Sequence, residues 1–221
     1  MDSIWINAPA KINIGLDVIR RREDGYHEVK MIMQSIRLFD RLTLTKTIEP
    51  GIKLTTNLSY LPVNEDNLVY QSAKRLMDEF HWEGGLDIKL DKRIPVAAGM
   101  AGGSTDAASC MLAINDLYGL GLSKRHLMKR GVKLGADIPY CILKGTALSE
   151  GIGEKLSTIP AMPSCYILIA KPNIHVSTKW VYTNLVLDEH TNHPDIDGML
   201  ASMKKRDLLS LSNQIGNVLE S

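Results

Sequence analysis

A run of small residues from Pro95 to Thr105, PVAAGMAGGST, constrains this chain more than any other feature. Before it, Gly85 to Ile94 alternates apolar and polar residues as a half-buried strand does. After it comes a helical pattern that ends near Tyr118-Gly119, where glycine accepts a left-handed cap. Glycines at 99, 102 and 103 leave backbone N–H groups unobstructed, and the positive end of the following helix points back into the loop. A strand, a glycine loop and a helix in that order can cradle an anion. The loop has neither the G-x-x-x-x-G-K-[ST] nor the G-x-G-x-x-G spacing, so neither of those nucleotide-binding designs is assigned. A flexible hinge has the same composition, and the loop alone leaves that reading open. Ser104 is the expected N-cap of the helix.

The chain opens as sheet. From Ser3 to Asp17 apolar residues fall at every second position, Ile4 through Leu16, with a break at Pro9. A second extended stretch, Glu28 to Thr47, is reached through an Asp24-Gly25 turn. Leu68, Val69, Ala73, Leu76, Met77 and Phe80 recur at helical spacing behind the polar cap candidates Asp66 and Asn67. Another helix is expected from Ser123 to Leu134. Tyr140 to Leu148 and Cys165 to Lys171 read as buried strands, Pro160 to Pro163 as a linker, and Leu208 to Leu219 as an amphipathic helix. The expected division is therefore 1–159 and 160–221.

With 221 residues the chain can bury a sizeable core. Its 26 Lys+Arg against 25 Asp+Glu provide no basic field, which argues for a small-molecule partner and against nucleic acid or a membrane surface. Three scattered cysteines, Cys110, Cys141 and Cys165, suit free thiols in a reducing compartment, and a cytoplasmic protein is expected. No stretch has the pattern of a signal peptide or the ~20 apolar residues of a membrane-spanning helix.

Four further groups of residues carry chemical information. Lys11 interrupts an apolar strand, with Asn13 two residues on along the same face. Two readings stand: a pair of site residues, or an edge-strand lysine that blocks aggregation. Asp137, in Leu134-Gly-Ala-Asp-Ile-Pro139, is flanked by small and apolar residues, so a partly buried carboxylate in need of a partner is expected; a helix N-cap fits as well. Asp24-Gly-Tyr-His-Glu28 joins a phenol ring and an imidazole at a turn, able to stack on a base and bond its edge, or else an ordinary turn surface. His190 and His193 lack further ligands at metal spacing and read as loop.

Taken together, Ala8-Pro-Ala-Lys-Ile-Asn-Ile-Gly-Leu-Asp17, the Pro95 to Ala107 loop and Gly145-Thr-Ala-Leu-Ser-Glu-Gly-Ile-Gly-Glu154 resemble the GHMP kinase superfamily in order and spacing. Asp24-Gly-Tyr-His-Glu28, Leu134-Gly-Ala-Asp-Ile-Pro139 and Ala170-Lys-Pro-Asn173 narrow the likeness to its isoprenoid-pathway branch, whose alcohol substrate carries a cytidine diphosphate. The resemblance implies an α+β, two-domain fold: a ribosomal-protein-S5-like N-terminal domain and a ferredoxin-like C-terminal one. It implies ATP with Mg²⁺ and phosphorylation of the 2-hydroxyl of a cytidine-diphosphate methylerythritol.

By the same resemblance Pro95, Val96, Ala97, Ala98, Gly99, Met100, Ala101, Gly102, Gly103, Ser104 and Thr105 line the ATP phosphates, and Asn67 meets the adenine. Lys11 and Asp137 form the catalytic pair, Asp137 accepting the hydroxyl proton while Lys11 holds it ionised and stabilises the attacking oxygen. Asn13, Tyr26, His27 and Tyr182 hold the substrate, and Ser104 offers a hydroxyl to Mg²⁺. A third, Gly-Ser-Gly-Pro type motif of the superfamily is absent here, so the ferredoxin-like part is expected to be incomplete and the kinase rate lower. Two rival readings are another GHMP kinase acting on a small alcohol, which the Tyr26-His27 pair opposes, and a nucleotide-binding remnant without turnover.

Overall fold

The computed structural model describes residues 2–172 and 178–220. Two long strands, β1 (Ser3–Arg21) and β2 (His27–Thr47), open the chain and are hydrogen-bonded neighbours. The turn between them is made by Gly25, at φ +84°, and by Asp24, whose carboxylate accepts the Tyr26 N–H at 3.1 Å and pairs with Arg22 at 2.8 Å. Both strands contribute to two compact units. One comprises Met1–Ala10, Ile36–Val96 and Met100–Leu143; the other comprises Lys11–Ser35, Ala97–Gly99 and Lys144–Ser221. These units interleave along the chain, unlike the sequential division at residue 159.

In the first unit β3 (Gly51–Thr56) runs parallel to β4 (Gly85–Asp91), with Gly51 opposite Gly85 and Thr56 opposite Leu90. Parallel neighbours need a crossover, and α1 (Leu68–Glu79) supplies it. On its other side β4 pairs antiparallel with β2, Arg41 opposite Asp91 and Thr47 opposite Gly85. Period-two burial follows: Leu86, Ile88 and Leu90 point inward from β4 while Asp87 and Lys89 are exposed. Helix α2 (Gly102–Leu117) packs on α1, and its small side chains Ala107, Ala108 and Ala113 let it sit deep in the core. Ser123 caps α3 (Lys124–Gly131) by accepting the His126 N–H at 3.3 Å, and α4 (Ile138–Leu143) packs on both α2 and α3.

In the second unit β5 (Thr146–Gly151) pairs antiparallel with β2, Val29 opposite Gly151, and β6 (Lys155–Thr158) extends it. Helices α5 (Thr178–Asn184), α6 (Ile196–Lys205) and α7 (Leu208–Gln214) precede β7 (Gly216–Asn217), which lies parallel to β1 at Gly15 and Leu16. Its core joins Ile14 and Ile32 to Ile196, Met199, Met203 and Leu211. The close approach of α6 to β1 requires a residue without a side chain: a Cβ on Gly15 would lie 2.6 Å from both Ile196 Cδ1 and Met199 Sδ.

Five local expectations are corrected. Pro9 does not break β1, which stays extended throughout; only the donor of that residue is missing. Ser104 is not the N-cap of α2, because the helix starts two residues earlier, behind Ala101 in the left-handed region. The run from Tyr140 begins as helix, with strand only from Thr146: a short apolar run does not distinguish a buried helix from a buried strand, and Pro139 fits the first turn. Cys165 to Lys171 forms no strand; among the described residues no strand is paired with it in the sheet, and Tyr166 and Leu168 stand fully exposed. The helix expected over Leu208 to Leu219 ends at Gln214, where Gly216 turns the chain into pairing with β1. Among the described residues no helix is long and apolar enough to cross a membrane.

Candidate active site

The glycine loop leaves β4 at Lys92 and enters α2 through three left-handed residues, Ala97, Gly99 and Ala101, at φ +54°, +68° and +55°. Two of these are alanines, each held in a conformation that costs of order 1–3 kcal/mol, which marks a backbone shaped by something other than its own preference. Ala101 offers no side-chain cap to α2, so the first-turn N–H groups are left to an outside acceptor at the positive end of the helix. Thr105 is spent elsewhere: fully buried, its hydroxyl donates to the Pro9 carbonyl at 2.8 Å and ties α2 to β1. Pro95, Val96, Ala98 and Met100 supply backbone to the loop. A Cβ on Gly103 would meet Leu68 Cδ1 at 3.6 Å, so the start of α1 lies against the loop. There Asn67 caps α1 through the Val69 N–H at 2.9 Å and donates to the Pro62 carbonyl at 2.7 Å.

Asp137 belongs to the same unit. The turn before it approaches α2, since a Cβ on Gly135 would lie 3.9 Å from Ser104 Oγ. Asp137 takes the N-cap position of α4, its carbonyl accepting the Cys141 N–H at 3.0 Å. Its half-buried carboxylate makes no hydrogen bond or ion pair among the described residues, which leaves it free for chemistry. A buried cluster missed by the sequence reading lies nearby in the chain: Lys92 Nζ contacts Asp40 Oδ2 and Asp106 Oδ2, the latter at 2.7 Å. Burial pushes the Asp106 carboxyl well above the usual carboxylate range, Lys92 pulling it down and Asp40 pushing it up. Burial opposes the Lys92 charge, but Asp106 and Asp40 outweigh it, and its pKa lies above the usual lysine value. Burial also drives the Cys110 thiol up to about 12, making it an inert core residue.

The second unit holds Lys11, Asn13, Tyr26, His27 and Tyr182. Lys11 is only 7 % exposed, with Nζ donating to Asn13 Oδ1 at 3.3 Å. A solvated edge lysine would stand in water, so that reading falls. Tyr26 is 61 % exposed at the hairpin tip, its ring open to a stacking partner. Next to it, the His27 ring packs 5.3 Å from the Tyr182 ring at 46°. Burial, aided by the Arg21 charge, lowers the His27 pKa and keeps the imidazole neutral, a donor at one nitrogen and an acceptor at the other. His27 lines a cavity of about 450 Å³ with Arg21, Leu185, Leu187 and His193. His193 is not free loop: its Nδ1 lies 2.7 Å from the buried Asp17 carboxylate. No sequence signal joined those two, since 176 residues separate them. Among the described residues no group of three or more acids, histidines or cysteines gathers at a metal-binding spacing. Asn173, of the Ala170-Lys-Pro-Asn173 motif, lies outside the described residues.

Residues 67–145 match the family described as GHMP kinases N terminal domain. A solved homoserine kinase from Cytophaga hutchinsonii, 20 % identical, has the same fold at a TM-score of 0.71 over 98 % of this chain and 72 % of its own. A solved 4-(cytidine 5'-diphospho)-2C-methyl-D-erythritol kinase, 29 % identical, reaches 0.78 over 98 % and 76 %. Uncapped helix, glycine loop and sheet thus compose the α+β fold of a GHMP kinase. The 4-diphosphocytidyl-2-C-methyl-D-erythritol kinases of Lachnoclostridium phytofermentans and Lachnospira eligens are 56 % and 52 % identical over all of this chain, which spans 76 % and 77 % of their lengths. The chain belongs to the 4-diphosphocytidyl-2-C-methyl-D-erythritol kinase family.

Proposed function

We propose that this chain transfers the γ-phosphoryl group of ATP to the 2-hydroxyl of 4-diphosphocytidyl-2-C-methyl-D-erythritol, a step of non-mevalonate isoprenoid synthesis in the cytoplasm. The observation that carries the choice of acceptor is the exposed Tyr26 ring beside the neutral His27, which packs on Tyr182 at the edge of the cavity. A pyrimidine needs such a place, one ring to stack on and one uncharged edge to bond. Homoserine or mevalonate has no base and would leave these groups unused.

Phosphoryl transfer asks of a protein mainly alignment and charge neutralisation. The N–H groups of Gly102, Gly103 and Ser104, at the positive end of α2, receive the triphosphate, and Asn67, beside the Leu68 that lies against the loop, meets the adenine. Asp137, its carboxylate unspent, takes the proton of the attacking hydroxyl. Lys11, sealed from water with Asn13 as its neutral neighbour, stabilises negative charge on the attacking oxygen, and Asn13 bonds the sugar-alcohol chain. Mg²⁺ arriving with the nucleotide supplies further charge neutralisation. The Ser104 hydroxyl suits it, because this ion takes few protein oxygens and keeps phosphate and water.

The test is coupled ADP release with three acceptors at equal concentration. Turnover with the cytidine compound, and none with homoserine or mevalonate, is the expected result. ATP binding without release of ADP on any acceptor would leave a nucleotide-binding protein instead.

A further inference from the structure

The Asp40, Lys92 and Asp106 cluster has no part in the reaction just described, yet it grips both ends of the glycine loop. At the leading end, Asp40 Oδ1 accepts the backbone N–H groups of Arg93 and Ile94, the second at 2.8 Å, while Asp40 Oδ2 takes Lys92 Nζ. Asn57 secures the Lys92 backbone from the other side, accepting its N–H at 2.8 Å and donating to its carbonyl at 3.0 Å. At the trailing end, the same Lys92 Nζ donates at 2.7 Å to Asp106 Oδ2, one residue beyond the loop in α2. It also lies against the first residue of that helix: a Cβ on Gly102 would come within 3.2 Å of it. Asp106 is 2 % exposed, and its Oδ1 is buried without a hydrogen-bond partner.

A purely structural role explains this poorly. Buried ion clusters contribute little net stability, and apolar residues of similar volume commonly replace them without loss. What apolar residues cannot do is accept two adjacent N–H groups at one end of a loop and hold a helix turn at the other. The geometry points to Asp40, Lys92 and Asp106 as positioning residues that clasp the two ends of the glycine loop, fixing the direction of the Gly102, Gly103 and Ser104 N–H groups and hence the affinity for ATP. This rests on the assignment of the loop to the ATP phosphates.

The test is calorimetric titration of ATP, and separately of CDP, into wild type, Asp106→Asn and Asp106→Ala, with thermal melts of each. Asparagine retains an acceptor oxygen for Lys92 and should bind ATP within about two-fold of wild type. Alanine should weaken ATP by about ten-fold, the scale of one charged hydrogen bond, with CDP binding unchanged. Asp106→Ser, with a shorter acceptor, is read in the same way if the alanine variant does not fold. A folded Asp106→Ala that binds ATP as wild type does overturns the clasp, and so does an equal loss of CDP, which would mean general loosening. Wild type that binds CDP but not ATP overturns the assignment of the loop itself, and the clasp with it.

Discussion

Asp137 and Lys11 differ in what their surroundings leave them to do. The carboxylate sits at a helix start without using its oxygens for capping, and the ammonium is buried and donates to the Asn13 amide oxygen. Asp137→Asn should cut turnover by ~10²–10⁴-fold with ATP affinity nearly unchanged, as loss of a general base does. Steady-state rates beside an ATP titration decide it; more than half the activity retained would remove Asp137 from the mechanism. Tyr26→Ala should raise KM for the cytidine substrate by an amount equal to ~1–3 kcal/mol of stacking and leave the ATP constant alone. His27 makes a pH prediction. Its pKa is lowered by burial first and by Arg21 second, so between the folded value and the usual histidine value near 6.5 the unfolded chain binds more protons than the folded one. Stability supplied by this residue is therefore complete above about 6.5 and declines on acidification. CDP affinity should likewise hold through that pH and fall only below it, a profile that titration of the His27→Asn variant should flatten. These residue types and spacings were legible in the sequence; the burial of Lys11 and the free oxygens of Asp137 were not, because partners and solvent are properties of the folded surroundings.

Local pattern served best where an element declares its own ends. Asn67 and Ser123 cap the helices they precede, and Gly119 takes a left-handed conformation, φ +63°, behind α2. It served worst where the neighbour decides. Ile138 to Leu143 is helical because it packs between α2 and α3, and Cys165 to Lys171 is not a strand because no described strand lies beside it. Element-level predictions follow from two close approaches. Gly15→Ala should destabilise by ~1–3 kcal/mol through overpacking against Ile196 and Met199, readable as a shift in denaturant midpoint with unchanged slope. Gly102→Val should weaken ATP more than CDP, since its side chain meets the Lys92 ammonium and obstructs the approach of phosphate. Equal losses in the two titrations would signify misfolding.

At the scale of the whole molecule, Tyr166 and Leu168 expose apolar side chains in a stretch that joins no sheet among the described residues, and exposed apolar surface favours association. Leu168→Lys should reduce self-association, which light scattering across a concentration series would register; an unchanged profile would acquit the stretch. Local pattern was enough for the order of strand, glycine loop and helix, because composition and period act over a few neighbouring residues, while the α+β class was implied by the motifs' resemblance to a family. Folding in three dimensions was needed to show that β1 and β2 each serve two compact units, that Asp17 meets His193, and that Asp40 of β2, Lys92 at the start of the glycine loop and Asp106 of α2 converge. Those contacts join residues 14 to 176 positions apart, and a buried charge finds its partner through packing, to which no local periodicity refers.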